Sequence, residues 1–203
     1  IKNVFKLKQA HCLKYNQKNK VETFRYWNQD LGQKSTDSEA VASKKLLALL
    51  RKSISYRMIS DVPLGVFLSG GIDSSAVVAL MAEQRAAKDI QTFSINFEEA
   101  SYDESSYSRL IAKKFGTDHH EETLSAKKML EIFPEVTEYL DEPLADASIL
   151  PTYLLSQFTR QHVKVALGGD GADELFAGYP TFFASHLASR YQKIPRVLRK
   201  TIE

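Results

Sequence analysis

Within seven residues, Ser69-Gly70-Gly71-Ile72-Asp73-Ser74-Ser75 gathers three hydroxyls, two adjacent glycines and one carboxylate. The glycines let the backbone turn tightly and present N–H groups to a ligand without side-chain interference. Apolar Val66-Phe67-Leu68 precede the segment and Ala76 to Leu80 follow it, so a strand ends and a helix begins here. The helix N-terminus adds about half a unit of positive charge. Together these donors favour a polyphosphate. The turn has no lysine and is shorter than the lysine-bearing phosphate loop of ordinary nucleotidases, so the usual grip on a γ-phosphate is missing. Grip on the pyrophosphate end of ATP would leave the α-phosphate open to attack, which suits adenylation rather than phosphoryl transfer. Asp73, an anion inside an anion-binding turn, fits if Mg2+ lies between it and the phosphates. The plainer alternative is a simple strand-to-helix turn with Asp73 as an N-cap.

A second cluster, Gly168-Gly169-Asp170-Gly171-Ala172-Asp173-Glu174, follows the apolar run Val163 to Leu167. Ligands of open parallel sheets bind beyond the carboxyl ends of the strands, so both clusters are able to face one site. Carboxylates in a glycine-rich turn suit metal and substrate chemistry, although glycine-aspartate runs also make ordinary surface turns. Other residues have simpler explanations. His119 and His120 are adjacent, so on a strand they point to opposite faces and cannot chelate one ion together. His162 and His186 read as surface or packing residues. Asp141, Glu142 and Asp146 lie near Pro143 in an expected loop, where a turn explains them as well as a substrate contact through Asp146 or Ser148. Phe176, Tyr179, Phe182 and Phe183 are candidates for a pocket wall but read more simply as core.

The elements that must position these residues follow from periodicity. Ile1 to Gln33 alternates in Val4-Phe5-Lys6-Leu7 and Thr23-Phe24-Arg25-Tyr26-Trp27, a hairpin-like piece with Asn16 to Lys20 between, too small to fold alone. Gly32 to Asp37 reads as a linker. Thr36-Asp37-Ser38-Glu39 has capping-box form, and Val41, Leu46, Leu47, Leu50, Ile54 and Met58 then recur at helical spacing over about five turns. From Val62, short apolar runs alternate with helical segments, the pattern of an α/β fold with an open parallel sheet and helices on both faces. Strands are expected at Val62 to Leu68, Thr92 to Phe97, His119 to Leu124 and Val163 to Leu167. Helices are expected at Ile72 to Gln84, Tyr102 to Phe115, Ala126 to Phe133, Thr152 to Arg160 and Phe182 to Arg190. Ser101-Tyr102-Asp103-Glu104 has capping-box form and Gly116 reads as a C-terminal stop. Lys193 to Lys200 reads as a basic, unstructured tail.

Composition excludes some partners. The 27 basic and 25 acidic side chains among 203 residues nearly cancel to a net charge of +2, so no global field draws the chain to nucleic acid or anionic lipid. A single cysteine, Cys12, rules out an internal disulfide framework and cysteine-paired zinc, and suits a reducing cytoplasm. No run approaches the roughly 18 apolar residues of a membrane helix. The chain starts at Ile1 rather than Met and stops at Glu203 without a polar tail, so it is expected to be part of something longer.

The two clusters together carry a resemblance. SGGIDSS is similar to the pyrophosphate loop of the N-type ATP pyrophosphatases, which include GMP synthetase, NAD synthetase and argininosuccinate synthetase. Asp61 to Gly71, Gly168 to Tyr179, Thr92-Phe93-Ser94-Ile95, Asp118-His119-His120-Glu121 and Asp141-Glu142-Pro143 resemble glutamine-hydrolysing asparagine synthetase over nearly the whole chain. That resemblance implies a Rossmann-like fold of the adenine nucleotide alpha hydrolase type. It implies residues 1–33 as the end of a glutaminase domain, 34–60 as linker and leading helix, and 61–203 as an ATP-binding synthetase domain incomplete at its C-terminus. The implied chemistry is adenylation of the aspartate side-chain carboxylate by MgATP, release of pyrophosphate, and attack by glutamine-derived ammonia to give asparagine. By the resemblance, Ser69, Gly70, Gly71, Asp73, Ser74 and Ser75 hold pyrophosphate and Mg2+. Leu68 and Ile95 sit against the adenosine, Gly168 and Gly169 lie near the nucleotide, Asp170 is the catalytic residue, matching the acidic position linked to forming the acyl-adenylate, and Asp173 is a metal-proximal carboxylate. Some family members carry glutamate at the position of Asp170. Cys12 does not match the N-terminal nucleophile of the family's glutaminase, and the lysine that stabilises its adenylation transition state would fall beyond Glu203. The partners implied are aspartate, ATP, ammonia and the glutaminase domain, with a homodimer as a further option. Alternatives are synthetases acting on another carboxylate, including β-lactam-forming ones, tRNA-modifying enzymes with the same loop, and a non-catalytic binding module.

Overall fold

The structure is a computed structural model that describes residues 2–18, 20–30, 32, 34–99, 103–142, 144 and 146–194. The chain divides into two compact units, Ile1–Lys45 and Leu46–Glu203. In the first, β1 (His11–Tyr15) and β2 (Val21–Arg25) form an antiparallel hairpin. Asn16 closes its turn by accepting from the N–H groups of Lys18 at 3.0 Å and Lys20 at 3.2 Å. The first strand is therefore His11–Tyr15 and not the Val4 to Leu7 run, because the asparagine turn sets the register Tyr15↔Val21. Helix α1 (Glu39–Arg57) begins at the expected place.

The second unit is built on a parallel sheet of β3 (Leu64–Phe67), β4 (Gln91–Phe97), β5 (Asp118–Leu124) and β6 (Val165–Leu167), in the order β5-β4-β3-β6. Its helices are α2 (Ile72–Ala82), α3 (Ser105–Phe115), α4 (Ala126–Glu138), α5 (Ile149–Thr159), α6 (Ala172–Phe176) and α7 (Pro180–Gln192). Strand alternation sends Leu64 and Val66 to one face, where Val78 and Met81 of α2 and Ala112 of α3 bury them together with Ile54. Ile95, Phe97 and Leu124 go to the other face against Ile132 and Val136 of α4 and Leu154 of α5. Helices thus cover both faces, as the alternation of apolar runs predicts.

Some boundaries differ from those expected. Helix α4 continues through Pro134 instead of stopping at Phe133, because burial of Ile132 and Val136 outweighs the one backbone hydrogen bond that proline removes. Helix α5 starts at Ile149, with Pro151 in its first turn, where proline is tolerated. Ala172, Asp173 and Glu174, expected in the glycine-rich turn, open the short helix α6 behind Gly171 at φ +91°. Glu104 is the N-cap of α3, and Asp103 just before it accepts from Ser105 N at 3.1 Å and Ser105 Oγ at 2.8 Å. Ser101 and Tyr102 of the expected capping box lie outside the described residues, as do Pro143 and residues 195–200 of the basic tail. Gly116 ends α3 at φ +71°, the expected stop. Phe176, Phe182 and Phe183 are exposed rather than core. No helix among the described residues is long and apolar enough to cross a membrane.

Candidate functional site

The phosphate-type turn begins where β3 ends. Leu68 donates its N–H to Phe93 O at 2.8 Å, which ties the strand end to β4, and the chain then swings through Gly70 at φ +84°. A Cβ at Gly70 would lie 2.5 Å from Tyr107 Cβ and 2.6 Å from Ser108 N, so only glycine lets the turn lie flat on α3. Gly71 is the N-cap of α2 and, having no side chain, leaves the first N–H groups of the helix without a side-chain cap. Ser69 Oγ accepts from Gly71 N at 3.2 Å and pairs with Ser74 Oγ at 3.1 Å, and Ser74 Oγ reaches Gly71 O at 3.3 Å. The hydroxyls of Ser69 and Ser74 therefore satisfy one another around the first turn of α2.

The second glycine cluster comes to the same place. A Cβ at Gly169 would lie 2.9 Å from Ser74 N and 3.0 Å from Asp73 Cβ, so the turn after β6 is seated directly on the start of α2. Asp170 folds its carboxylate back over Gly168, where a Cβ would overlap its Oδ2. The result is a cleft of about 530 Å³ at the carboxyl ends of β3, β4 and β6, within the range of about 300–1,000 Å³ usual for small-molecule sites. Leu68, Ser69, Asp73, Ser74, Ile95, Gly168, Gly169, Asp170 and Asp173 all line it. Gly70, Gly71 and Ser75 do not; Ser75 Oγ is buried and without a hydrogen-bond partner among the described residues.

Sequence reasoning missed part of the wall. Ser94 and Asn96 close it at the end of β4, Ser105 and Ser108 on the first turns of α3, and Thr152 and Leu155 on α5. The strand-end rule points to the first pair; the helical residues had no signal, since only the fold brings α3 under Gly70. Tyr179 also lines the cleft, and its hydroxyl donates to Glu174 Oε1 at 2.8 Å. That bond raises its pKa above the ordinary phenol value, with burial and the charges of Glu174, Asp173 and Asp146 adding to the shift. Asp146, outside the lining, accepts from Ser148 N at 3.0 Å, and these bonds from Ser148 hold its carboxyl below the usual range.

On the α3 side the sheet is polar. His119 Nδ1 and Thr92 Oγ1 lie 2.7 Å apart, and His119 Nε2 sits 3.0 Å from Glu121 Oε1. Arg109 Nε donates to Glu121 Oε2 at 2.8 Å, and Asn96 Nδ2 to the same oxygen at 3.3 Å. On the opposite face His120 stacks on Phe93 at 5.2 Å and packs against His162 at 4.3 Å. The adjacent histidines point apart, as strand geometry requires, and His162 is a packing partner.

Residues 45–202 match the family described as asparagine synthase. The chain belongs to the asparagine synthase family. A Methanocaldococcus jannaschii protein assigned as glutamine-hydrolysing asparagine synthetase 2 is 37% identical over 98% of this chain and 38% of its own length. Glutamine-hydrolysing asparagine synthetase 1 of Bacillus subtilis is 34% identical over 78% of this chain and 25% of its own length. The chain thus spans between a quarter and two fifths of the length of these relatives. A solved glutamine-dependent NAD+ synthetase from Acinetobacter baumannii, in complex with ADP, aligns with a TM-score of 0.47 at 17% identity, covering 82% of this chain and 31% of that one.

The donor set of this family member fits a magnesium nucleotide. Two hydroxyls, the N–H groups of a helix's first turn and glycines too crowded for a Cβ are the donors and the space that a polyphosphate would need. Asp73 and Asp173 face the same cleft, and Mg2+ is usually held by one or two carboxylates together with phosphate oxygens. Among the described residues no group of three or more His, Cys, Asp or Glu is arranged to hold an ion by itself, so a cation here would draw its other ligands from substrate and water.

Proposed function

We propose that this chain carries the adenylating site of a glutamine-hydrolysing asparagine synthetase, acting on ATP and the side-chain carboxylate of aspartate in the cytoplasm. The observation that carries the proposal is the seating of Gly169 on Asp73 and Ser74, which merges the two glycine turns into one cleft. Membership of the asparagine synthase family supports the same reaction class. Residues 1–33 would be the end of the glutaminase domain, 34–60 the linker and leading helix, and 61–203 the synthetase domain.

In this mechanism Ser69, Ser74 and the first N–H groups of α2 donate to the pyrophosphate end of ATP, with Leu68 and Ile95 against the adenosine. Asp73 and Asp173 would hold Mg2+, which when bound supplies charge neutralisation on the polyphosphate. A carboxylate oxygen of aspartate attacks the α-phosphorus, the bond to the bridging oxygen breaks, and pyrophosphate leaves with the electron pair. Ammonia then attacks the acyl carbon, the carbon–oxygen bond to AMP breaks, and a proton is lost. Asp170 acts on formation of the acyl-adenylate from its place beside the phosphate turn.

The test is aspartate-dependent exchange of labelled pyrophosphate into ATP by the intact protein. Exchange is expected with aspartate and should fall by about 10²-fold or more in Asp170→Ala, the order of loss when a preorganised polar group of an active site is removed. Exchange driven by a different carboxylate would move the acceptor, and no exchange with any carboxylate would end the proposal.

A further inference from the structure

Asp170 and Asp173 of the cleft each have a glycine packed against the carboxylate, Gly168 and Gly178 respectively, and at Gly178 the backbone does not call for one. Its φ is not among the positive values, which belong to Gly70, Gly116 and Gly171 among the described glycines. What calls for glycine is Asp173. A Cβ at Gly178 would overlap Asp173 Oδ1 outright and would lie 3.0 Å from its Cγ and 3.2 Å from its Cα. The contact arises from the way α6 ends. Ala177 turns at φ +58°, its N–H and that of Gly178 both bond to Asp173 O, the latter at 3.0 Å, and the chain folds back over the carboxylate. Tyr179, the next residue, takes up Glu174 at 2.8 Å, so two neighbouring acids are sorted by two consecutive residues.

We infer that Gly178 is the positioning residue of Asp173: by lacking a side chain it leaves the carboxylate free to face Asp73 across the cleft and share a divalent cation with it. This rests on the reading above that these two carboxylates hold the ion. Since the overlap is chiefly with the end of a side chain, Gly178→Ala displaces the carboxylate rather than the fold. Groups behind a metal ligand typically change metal affinity by roughly 10–100-fold when altered.

The test is Mn2+ titration of the intact protein in the presence of ATP, followed by the loss of the free-ion electron paramagnetic resonance signal beyond that caused by the same ATP without protein, beside thermal unfolding. Gly178→Ala should bind Mn2+ at least about tenfold more weakly with an unfolding temperature close to wild type. On an Asp173→Ala background the same change should have no further effect on Mn2+ affinity. Equal Mn2+ affinity in Gly178→Ala and wild type, or full additivity with Asp173→Ala, overturns the inference while leaving the nucleotide site standing. If Gly178→Ala fails to fold, the double variant decides: recovered folding once the carboxylate is gone supports the inference, and no recovery overturns it. A wild-type protein that takes up no Mn2+ with ATP would overturn the nucleotide reading and this inference with it.

Discussion

The hydroxyls of Ser69 and Ser74 lie 3.1 Å apart and satisfy one another. A phosphate oxygen would replace that neutral bond with charge-assisted ones, each worth about 1.5–3 kcal/mol. Ser69→Ala should accordingly raise the KM for ATP by roughly 10–100-fold, with stability little changed, as steady-state kinetics and thermal melts would record. His119 makes a pH prediction. Burial lowers its pKa below 6.5, against the opposing pull of Glu121, so the neutral ring is the folded form. A depressed folded value means that its contribution to stability is complete above 6.5 and declines as pH falls from there through the folded pKa. Melting temperatures between about pH 7.5 and 5.5 should drop more in the wild type than in His119→Gln; equal slopes would assign the acid sensitivity elsewhere.

Adjacent glycines in the phosphate turn answer to different constraints. Gly70 sits at φ +84° with the backbone of α3 2.6 Å from where a Cβ would be, whereas Gly71 has an ordinary φ of −64° and meets only Ser69 Oγ at 3.3 Å. Gly70→Ala should destabilise by about 1–3 kcal/mol from backbone strain alone and more from the collision. Gly71→Ala should stay within about 0.5 kcal/mol, and chemical denaturation distinguishes the two. The strand-turn-helix units were legible in the sequence because apolar runs and glycine clusters are local. That Asp73 and Asp170 belong to one cleft was legible through the strand-end rule. The extension of α4 through Pro134 was not, since burial of Val136 against α5 is a tertiary effect that no local propensity reveals. Nor were Ser105 and Ser108, which reach the cleft only because Gly70 lets α3 pack beneath the turn.

For the molecule as a whole, the near-neutral charge sets up no global field and so nominates no partner. The chain covers only part of each relative's length, so activity belongs to experiments on the intact protein. The proposed function commits the site to attack of a carboxylate on the α-phosphorus while the two glycine turns hold the leaving pyrophosphate. Supplying aspartate labelled with 18O in its side-chain carboxylate, together with ATP, Mg2+ and ammonia, and weighing the products by mass spectrometry tests that commitment directly. One labelled oxygen should appear in AMP. Label in inorganic phosphate, with unlabelled AMP or with ADP as the nucleotide product, would contradict it.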